Sequence, residues 1–425
     1  MINLRRSETG GFNFCEKERH SIKMRNRVRL LLLLIFVGWM AACGRETDAT
    51  PTPIAPPPTT SVAETAVTPP TATVTATNTP LPPPPTIAVM PTNTPTTEPA
   101  ASGINLLTAA DFGPDRNPLT GELVDDPELL QRRPLAIKIS NAPPSYVRPQ
   151  SSLNSADWVF EHTTEGSITR FTLILYGNDV AQVGPIRSAR LIDVELPAMY
   201  DAALAFSGAS VGVNQRLNAA DFASRIIRSA DPGYYRTGED KPFEHTLYGR
   251  PAVFRQGLEA LGLNTPPTFN GLLTFTSEPP TGGTPASSVA IDYQWETVEW
   301  RYDAGNGRYY RWAAGEPHLD GNTGDQVNAA NIVVIAPFHA EDATICEQIT
   351  NGVCTHLSVQ IQLWGSGTGI ILRDGQQFPV TWHREGRIDL LTFTDADGNP
   401  FPLQIGNTWV QLVPTWYDDP VSVTR

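Results

Sequence analysis

Four arginines, two glutamates and one histidine carry most of the chemistry open to this chain: Arg148, Arg170, Arg187 and Arg190, Glu161 and Glu165, and His245. The stretch Gly184-Pro-Ile-Arg-Ser-Ala-Arg190 reads as a turn running into a helix, which places Arg187 and Arg190 on one helical face. Free backbone N–H groups at a helix start already favour an anion, so two cations there need negative charge to answer them. Asp193, Glu161 or Glu165 could supply it as an internal ion-pair network, which Arg170 on the preceding strand could join. An anionic ligand is the other answer. The planar forks of the four arginines suit a carboxylate or a phosphate.

Glu161 and Glu165 raise a second chemistry, because paired carboxylates can divide acid and base roles in glycoside cleavage. Positions so spaced along one strand lie roughly 13 Å apart, beyond the ~5–9.5 Å such pairs need. A turn at Gly166 or another carboxylate would have to close that gap. Ser188 with His245 and an acid would imitate a hydrolytic triad, but no Gly-x-Ser-x-Gly nucleophile elbow is read in support of it. A hydrogen-bonded structural histidine is the plainer reading of His245.

The C-terminal half offers weaker signals. Asp395-Ala-Asp-Gly-Asn399 opens like a calcium loop, yet its glycine comes too early and Gly406 stands where the closing acid belongs. A tight hairpin turn accounts for it. Gly365-Ser-Gly-Thr-Gly369 lacks the Lys-Ser/Thr of a phosphate loop and reads as a strand connection, and Pro317–Gly324 as a solvated loop. Cys346 and Cys354 flank a short turn-containing segment, and a disulfide closing it is expected outside the cytoplasm. Two thiols without a neighbouring Cys or His pair make a poor zinc site, so neither metal nor cofactor is expected.

The elements that must position these residues fall into two groups. In the first, Leu135–Ser140 and Asp157–His162 read as strands, and Ile168–Tyr176 as a longer strand completing a hairpin through Thr163–Gly166. Helical spacing marks Ser188–Leu196, Ala198–Leu204, Ala219–Arg228 and Arg250–Leu261. In the second, nine short β-branched or aromatic runs alternate with Gly/Asp/Asn turns from Val289–Tyr293 to Thr408–Val413. The fold class is α+β: a mixed α/β domain over 103–278, a linker over 279–288, and a mainly-β domain over 289–425, best fitted by a small barrel or sandwich.

Ahead of these lies a different kind of sequence. Arg25, Arg27 and Arg29 precede the apolar run Leu30–Val37, followed by Ala41, Ala42 and Cys43. This is a secretory signal layout whose cysteine sits as in a bacterial lipoprotein, so Cys43 is expected to be lipidated and to become the new N-terminus. The apolar run is shorter than the roughly 20 residues a spanning helix needs. Residues 24–42 are then the signal, and 1–23 read as a start-site overcall. Residues 43–102 read as a disordered tether: 51–100 hold 15 prolines and 15 threonines, with only Glu64 and Glu98 charged, too few apolar side chains for a core.

The formal net charge of the chain is −13, and the basic leader makes the remainder more acidic still. An acidic body argues against nucleic acid. It also argues against adsorption to anionic headgroups, leaving lipid on Cys43 as the membrane attachment. The expected location is extracytoplasmic, on the outer face of the cytoplasmic membrane.

Several ordered blocks carry a resemblance: Asn117-Pro-Leu-Thr-Gly121, Arg133-Pro-Leu-Ala-Ile-Lys-Ile-Ser-Asn141, Arg148-Pro-Gln-Ser-Ser-Leu-Asn-Ser-Ala-Asp157, Glu165-Gly-Ser-Ile-Thr-Arg-Phe171 and Val183-Gly-Pro-Ile-Arg-Ser-Ala-Arg190. Later come Gly315-Glu-Pro-His-Leu-Asp320, Arg373-Asp-Gly375, Asp395-Ala-Asp-Gly398 and Gly406-Asn-Thr-Trp409. Together they resemble the YerB-type lipoproteins of bacteria, a family defined by a domain of unknown function, the DUF3048 type. The segment expected to read Pro-His-Asn-Leu-Tyr is here Glu244-His-Thr-Leu-Tyr248, which keeps His245. The resemblance implies a two-domain envelope lipoprotein and supplies no activity. The leading expectation is a non-catalytic module that binds an anionic wall polymer, a glycan or an envelope protein through the first domain. The alternative is an envelope hydrolase or transferase using a Glu or His there.

Overall fold

Leu135-Ala-Ile-Lys-Ile-Ser140 and Trp158-Val-Phe-Glu-His-Thr163 leave neither side of a strand free of bulky or apolar groups, and every residue of both is buried. Strands of this kind must be covered on both faces. The computed structural model describes residues 106–425; the leader, Cys43 and the whole tether lie outside the described residues. Strands β1 (Leu135–Ser140), β2 (Trp158–Thr163) and β3 (Thr169–Leu175) form an antiparallel core, with β3 between the other two. Strand β4 (Ala203–Ala205) runs parallel to β1, and β5 (Ile226–Ile227) parallel to β4.

The second half supplies strands β6 (Ser288–Asp292), β7 (Thr297–Asp303), β8 (Arg308–Ala313) and β9 (Asn331–Ile335). Beyond them come β10 (Phe338–Thr350), β11 (Val353–Gln362), β12 (Gly365–Arg373), β13 (Gln376–Arg384), β14 (Thr392–Thr394), β15 (Thr408–Leu412) and β16 (Val421–Thr424). These strands do not close a barrel of their own. Strand β15 inserts between β2 and β9, parallel to both, so one eleven-stranded sheet runs in the order β14-β13-β12-β9-β15-β2-β3-β1-β4-β5 with a short extra pairing on β13. The physical reason is that β15 is buried at all of its residues and needs a hydrogen-bonded neighbour on each side. A six-stranded sheet built on β8, β7, β6 and β16 lies over one face of the large sheet, sharing an apolar cluster with it through Trp300, Tyr309, Phe171 and Trp409. The opposite face packs Trp158, Phe160 and Val410 under Tyr200 and Met199.

Several local expectations change. The chain at 188–204 is a 3-10 turn (Leu191–Val194), one turn of helix (Leu196–Met199) and then β4, because Pro197 and the buried pairing of β4 with β1 end the helical run. Helix α1 (Val211–Asn218) forms where none was expected, capped by Ser210, while 219–228 ends in β5. Helix α2 (Pro251–Ala260) is where its spacing put it. The glycine-rich Gly365–Gly369 is the start of β12 itself rather than a connection. Cys346 and Cys354 are disulfide-bonded across the β10–β11 hairpin.

Between the two sheets, Arg311 Nη2 lies 2.9 Å from both carboxylate oxygens of Glu161, an ion pair in which each side chain is fully buried. Thr169 (3.0 Å), Gln411 (3.1 Å) and the Trp409 indole (3.3 Å) donate to the same carboxylate, and Tyr293 holds Gln411 at 2.7 Å. The guanidinium lies among the rings of Phe171, Trp300 and Trp409, 5.4, 5.9 and 5.3 Å from their centroids. His318 and Gln150 complete the network, so Pro317–Gly324 is anchored by buried side chains and not a freely solvated loop. Removing one member strands a buried charge. Arg311→Ala should therefore cost about 3–5 kcal/mol in a denaturant melt, whereas Arg301→Ala, whose pair with Glu299 is exposed, should cost about 1 kcal/mol or less.

Candidate functional site

The candidate residues are arranged by the free edge of β1. Strand β4 pairs only with Leu135–Ile137, which leaves the backbone of Lys138 to Ser140 without a partner on that side. The segment after Gly184 fills it. Ser140 donates to the Pro185 carbonyl (3.0 Å), Arg187 N–H to Lys138 O (2.9 Å), and Ile186 bridges Ile139 antiparallel. Arg190 is still extended, at φ −131° and ψ 174°, and the first turn begins only at Leu191. Arg187 and Arg190 therefore sit on an extended segment, not on one face of a helix start, and no helix N-terminus adds to their field. Gly184 has φ +156°, and a Cβ there would lie 2.6 Å from the Tyr248 ring, so this entry to the segment is closed to larger residues.

Three of the four arginines are answered within the protein. Arg190 donates through Nε (2.7 Å) and Nη2 to Glu165, and also faces Glu347 of β10 at 3.5 Å. Arg170 lies 3.6 Å from Glu165 and donates to the Ser188 carbonyl at 2.6 Å. Arg148 pairs with Glu296 (2.8 Å for Nη1 to Oε1) and donates to Asn141 at 3.0 Å. Burial alone would raise the Glu165 carboxyl, but the hydrogen bonds and charge of Arg190, with Arg170 behind, bring it down to about 2. Arg187 differs. It is half-buried, its Nε has no hydrogen-bond partner, and its guanidinium makes no ion pair among the described residues.

His245 lies beside it, 4% exposed, stacked on Tyr146 with centroids 5.5 Å apart, its Nδ1 unpartnered. Burial, then the charge of Arg187, lowers its pKa and keeps it neutral at pH 7. Ser188 meets the cluster through its backbone carbonyl, on Arg170.

Behind the arginines sits a group that residue spacing did not single out. Lys138 and Asp193 are fully buried and paired at 2.9 Å, with Thr172 donating to the same carboxylate at 2.9 Å. Burial pushes Lys138 down to about 8 against the pull of Asp193, and burial with Lys138 nearby holds His162 well below its ordinary value. The legible signal was a lysine in the middle of the apolar run Leu135–Ile139. Glu161 points to the opposite face, onto Arg311, so Glu161 and Glu165 serve separate networks and do not converge. Against the reading that no Gly-x-Ser-x-Gly elbow is present, Gly208-Ala-Ser-Val-Gly212 has that pattern between β4 and α1, but Ser210 has an ordinary φ of −61°. Its hydroxyl caps Val213 and donates to Glu347 (3.1 Å), with no histidine bonded to it. No group of three or more metal-ligating side chains occurs among the described residues.

Two family models match in order along the chain, the N-terminal domain of the "Protein of unknown function (DUF3048)" over 119–264 and its C-terminal domain over 289–410. The chain belongs to the DUF3048 family. A protein of Bacillus subtilis (strain 168) named "Putative lipoprotein YerB" is 31% identical over 307 residues, which is 70% of this chain and 86% of that protein. The crystal structure of the YerB protein from Bacillus subtilis superposes with a TM-score of 0.61 at 27% identity, over 73% of this chain and 99% of that one. The resemblance read from the sequence blocks is borne out. Both DUF3048 domains build the networks above: Glu161 and Glu165 come from the N-terminal match, Arg311, Glu296 and Glu347 from the C-terminal one.

Glu165 gives a pH signature. Its carboxyl is more acidic folded than unfolded, so its stabilisation is complete above the unfolded value of 4.5 and fades as pH falls toward 2. The gap in unfolding free energy between wild type and Glu165→Gln should be about 3 kcal/mol at neutral pH and should close across that window in acid melts.

Proposed function

We propose that this DUF3048 protein is a lipid-anchored envelope protein that binds an anionic ligand through Arg187 and His245. The charge count around Arg187 carries the reading. Lys138, Arg170 and Arg190 are balanced by Asp193, Glu165 and Glu347, so Arg187 is the surplus cation of the cluster. Glu244 acts on it only from a distance and is itself 52% exposed. A half-buried guanidinium without a carboxylate favours one brought from outside, or a phosphate, and its two-pronged geometry suits either. His245 adds an unspent ring nitrogen beside it. Arg148, Arg170, Arg190, Glu161 and Glu165 then hold the scaffold, and only Arg187 and His245 meet the ligand.

A hydrolytic reading finds less support. Glu165 is held ionised and Glu161 is saturated by Arg311, Thr169, Gln411 and Trp409, which leaves neither ready to exchange a proton. The anchoring part of the proposal rests on the Arg-rich, apolar and small-residue run ending at Cys43 and on the name of the Bacillus relative. Among the described residues no helix is long and apolar enough to cross a membrane. A wall polymer or an acidic envelope protein would serve as the ligand.

Calorimetric titration with soluble acidic wall polymer tests the binding site. Arg187→Ala should weaken binding at least tenfold while its melt stays within about 0.5 kcal/mol of wild type. Unchanged affinity would sink the assignment, and Arg190→Lys should instead lower the melt. For the anchor, mass spectrometry should find a diacylated Cys43 with residues 24–42 removed, and Cys43→Ser should leave the protein outside the membrane fraction.

A further inference from the structure

We propose that the cleft beside the 164–167 turn is a second ligand site, one that takes an uncharged pyranose sugar. The cleft encloses about 470 Å³, within the range of sites for small ligands, and is lined by Thr164, Ser167, Phe338, His339, Glu341 and Trp416. Two large aromatic side chains stand exposed around it, Phe338 at 58% and Trp416 at 47%. The His339 imidazole meets Trp416 edge-on, 5.4 Å between centroids.

The polar side of the cleft selects the ligand's chemistry. His339 is 2% exposed and lies 2.7 Å through Nδ1 from the Pro337 carbonyl, so the Nδ1 proton is donated there. That tautomer leaves Nε2 as a bare acceptor, and it has no partner among the described residues. Burial holds the ring neutral, with a pKa of about 4. The Glu341 carboxylate, on the same strand and exposed, adds further acceptors. Acceptors without partners call for a ligand that brings donors, and exposed ring faces call for one with a C–H surface. A pyranose offers hydroxyls around its rim and C–H groups on its face. An apolar peptide segment would leave the acceptors unpaired. An anionic polymer would meet Glu341 and no cation, because no Lys or Arg among the described residues lines this cleft.

This site is separate from Arg187, and its test separates the two. Full-length protein is titrated with uncharged glucose- and N-acetylglucosamine-based oligosaccharides, read by tryptophan fluorescence and by saturation-transfer NMR. A saturable response is expected from at least one of them. Trp416→Ala and Phe338→Ala, both at exposed positions, should each weaken it at least tenfold without shifting the melt, and Arg187→Ala should leave it unchanged. No saturable response across the set, or equal affinity in Trp416→Ala, overturns the proposal. So does binding of an apolar peptide in the cleft with no sugar response.

Discussion

The Glu161–Arg311 pair sits where the two sheets meet, and much of the molecule is arranged to make that pair tolerable. Two charges at zero exposure carry a desolvation cost that their attraction offsets only when the remaining lone pairs and N–H groups find partners, and of the three guanidinium nitrogens only Arg311 Nε has none among the described residues. Thr169 of β3, Gln411 and Trp409 of β15, and His318 beyond β8 provide those partners. The ligand set thus comes from both halves of the chain and from both sheets. It also fixes the register of β15 against β2, because a one-residue slip would carry Gln411 and Trp409 to the other face.

The opposite face repeats the logic with a different outcome. Lys138 and Asp193 neutralise each other behind the strands, and Arg170 and Arg190 share Glu165 with help from Glu347. Saturated carboxylates cannot act as general acids, so the abundance of charge in this domain is scaffold before it is chemistry. Within the cluster of Lys138, Arg170, Arg187 and Arg190, what the balance leaves over is the Arg187 guanidinium, on an extended segment held in place by the unpaired edge of β1.

The β10–β11 hairpin ties the two faces of this argument together. Closed by the Cys346–Cys354 disulfide, it extends Glu347 toward Arg190 and Ser210 at one end and presents Phe338, His339 and Glu341 at the other. The Glu165 turn likewise serves both places, its side chain engaging the arginines while Thr164 and Ser167 line the aromatic cleft. The division into two family matches is real in sequence, yet β15 lies between strands contributed by each half.

Local pattern was enough for much of this. The β2–β3 hairpin, the nine strand runs of the second half, helix α2 and the disulfide partners are all written in alternation, turn residues and cysteine spacing. Strand β10 escaped because Phe338-His-Ala-Glu-Asp-Ala-Thr-Ile345 pairs as a two-stranded ribbon outside the main sheets and buries only His339 and Ile345 of that run, too few to show an apolar alternation. The run at 184–190 departs from its helical spacing because its conformation answers to the open edge of β1. Ion pairing was the least legible of all. Residue type marks Glu161, Arg170, Arg190 and Arg311 as charged, but which of them meet depends on burial between layers assembled from distant segments. Only the packed sheets decide which charges lose their water and must find each other, and which, Arg187 among them, are left without an ion pair among the described residues.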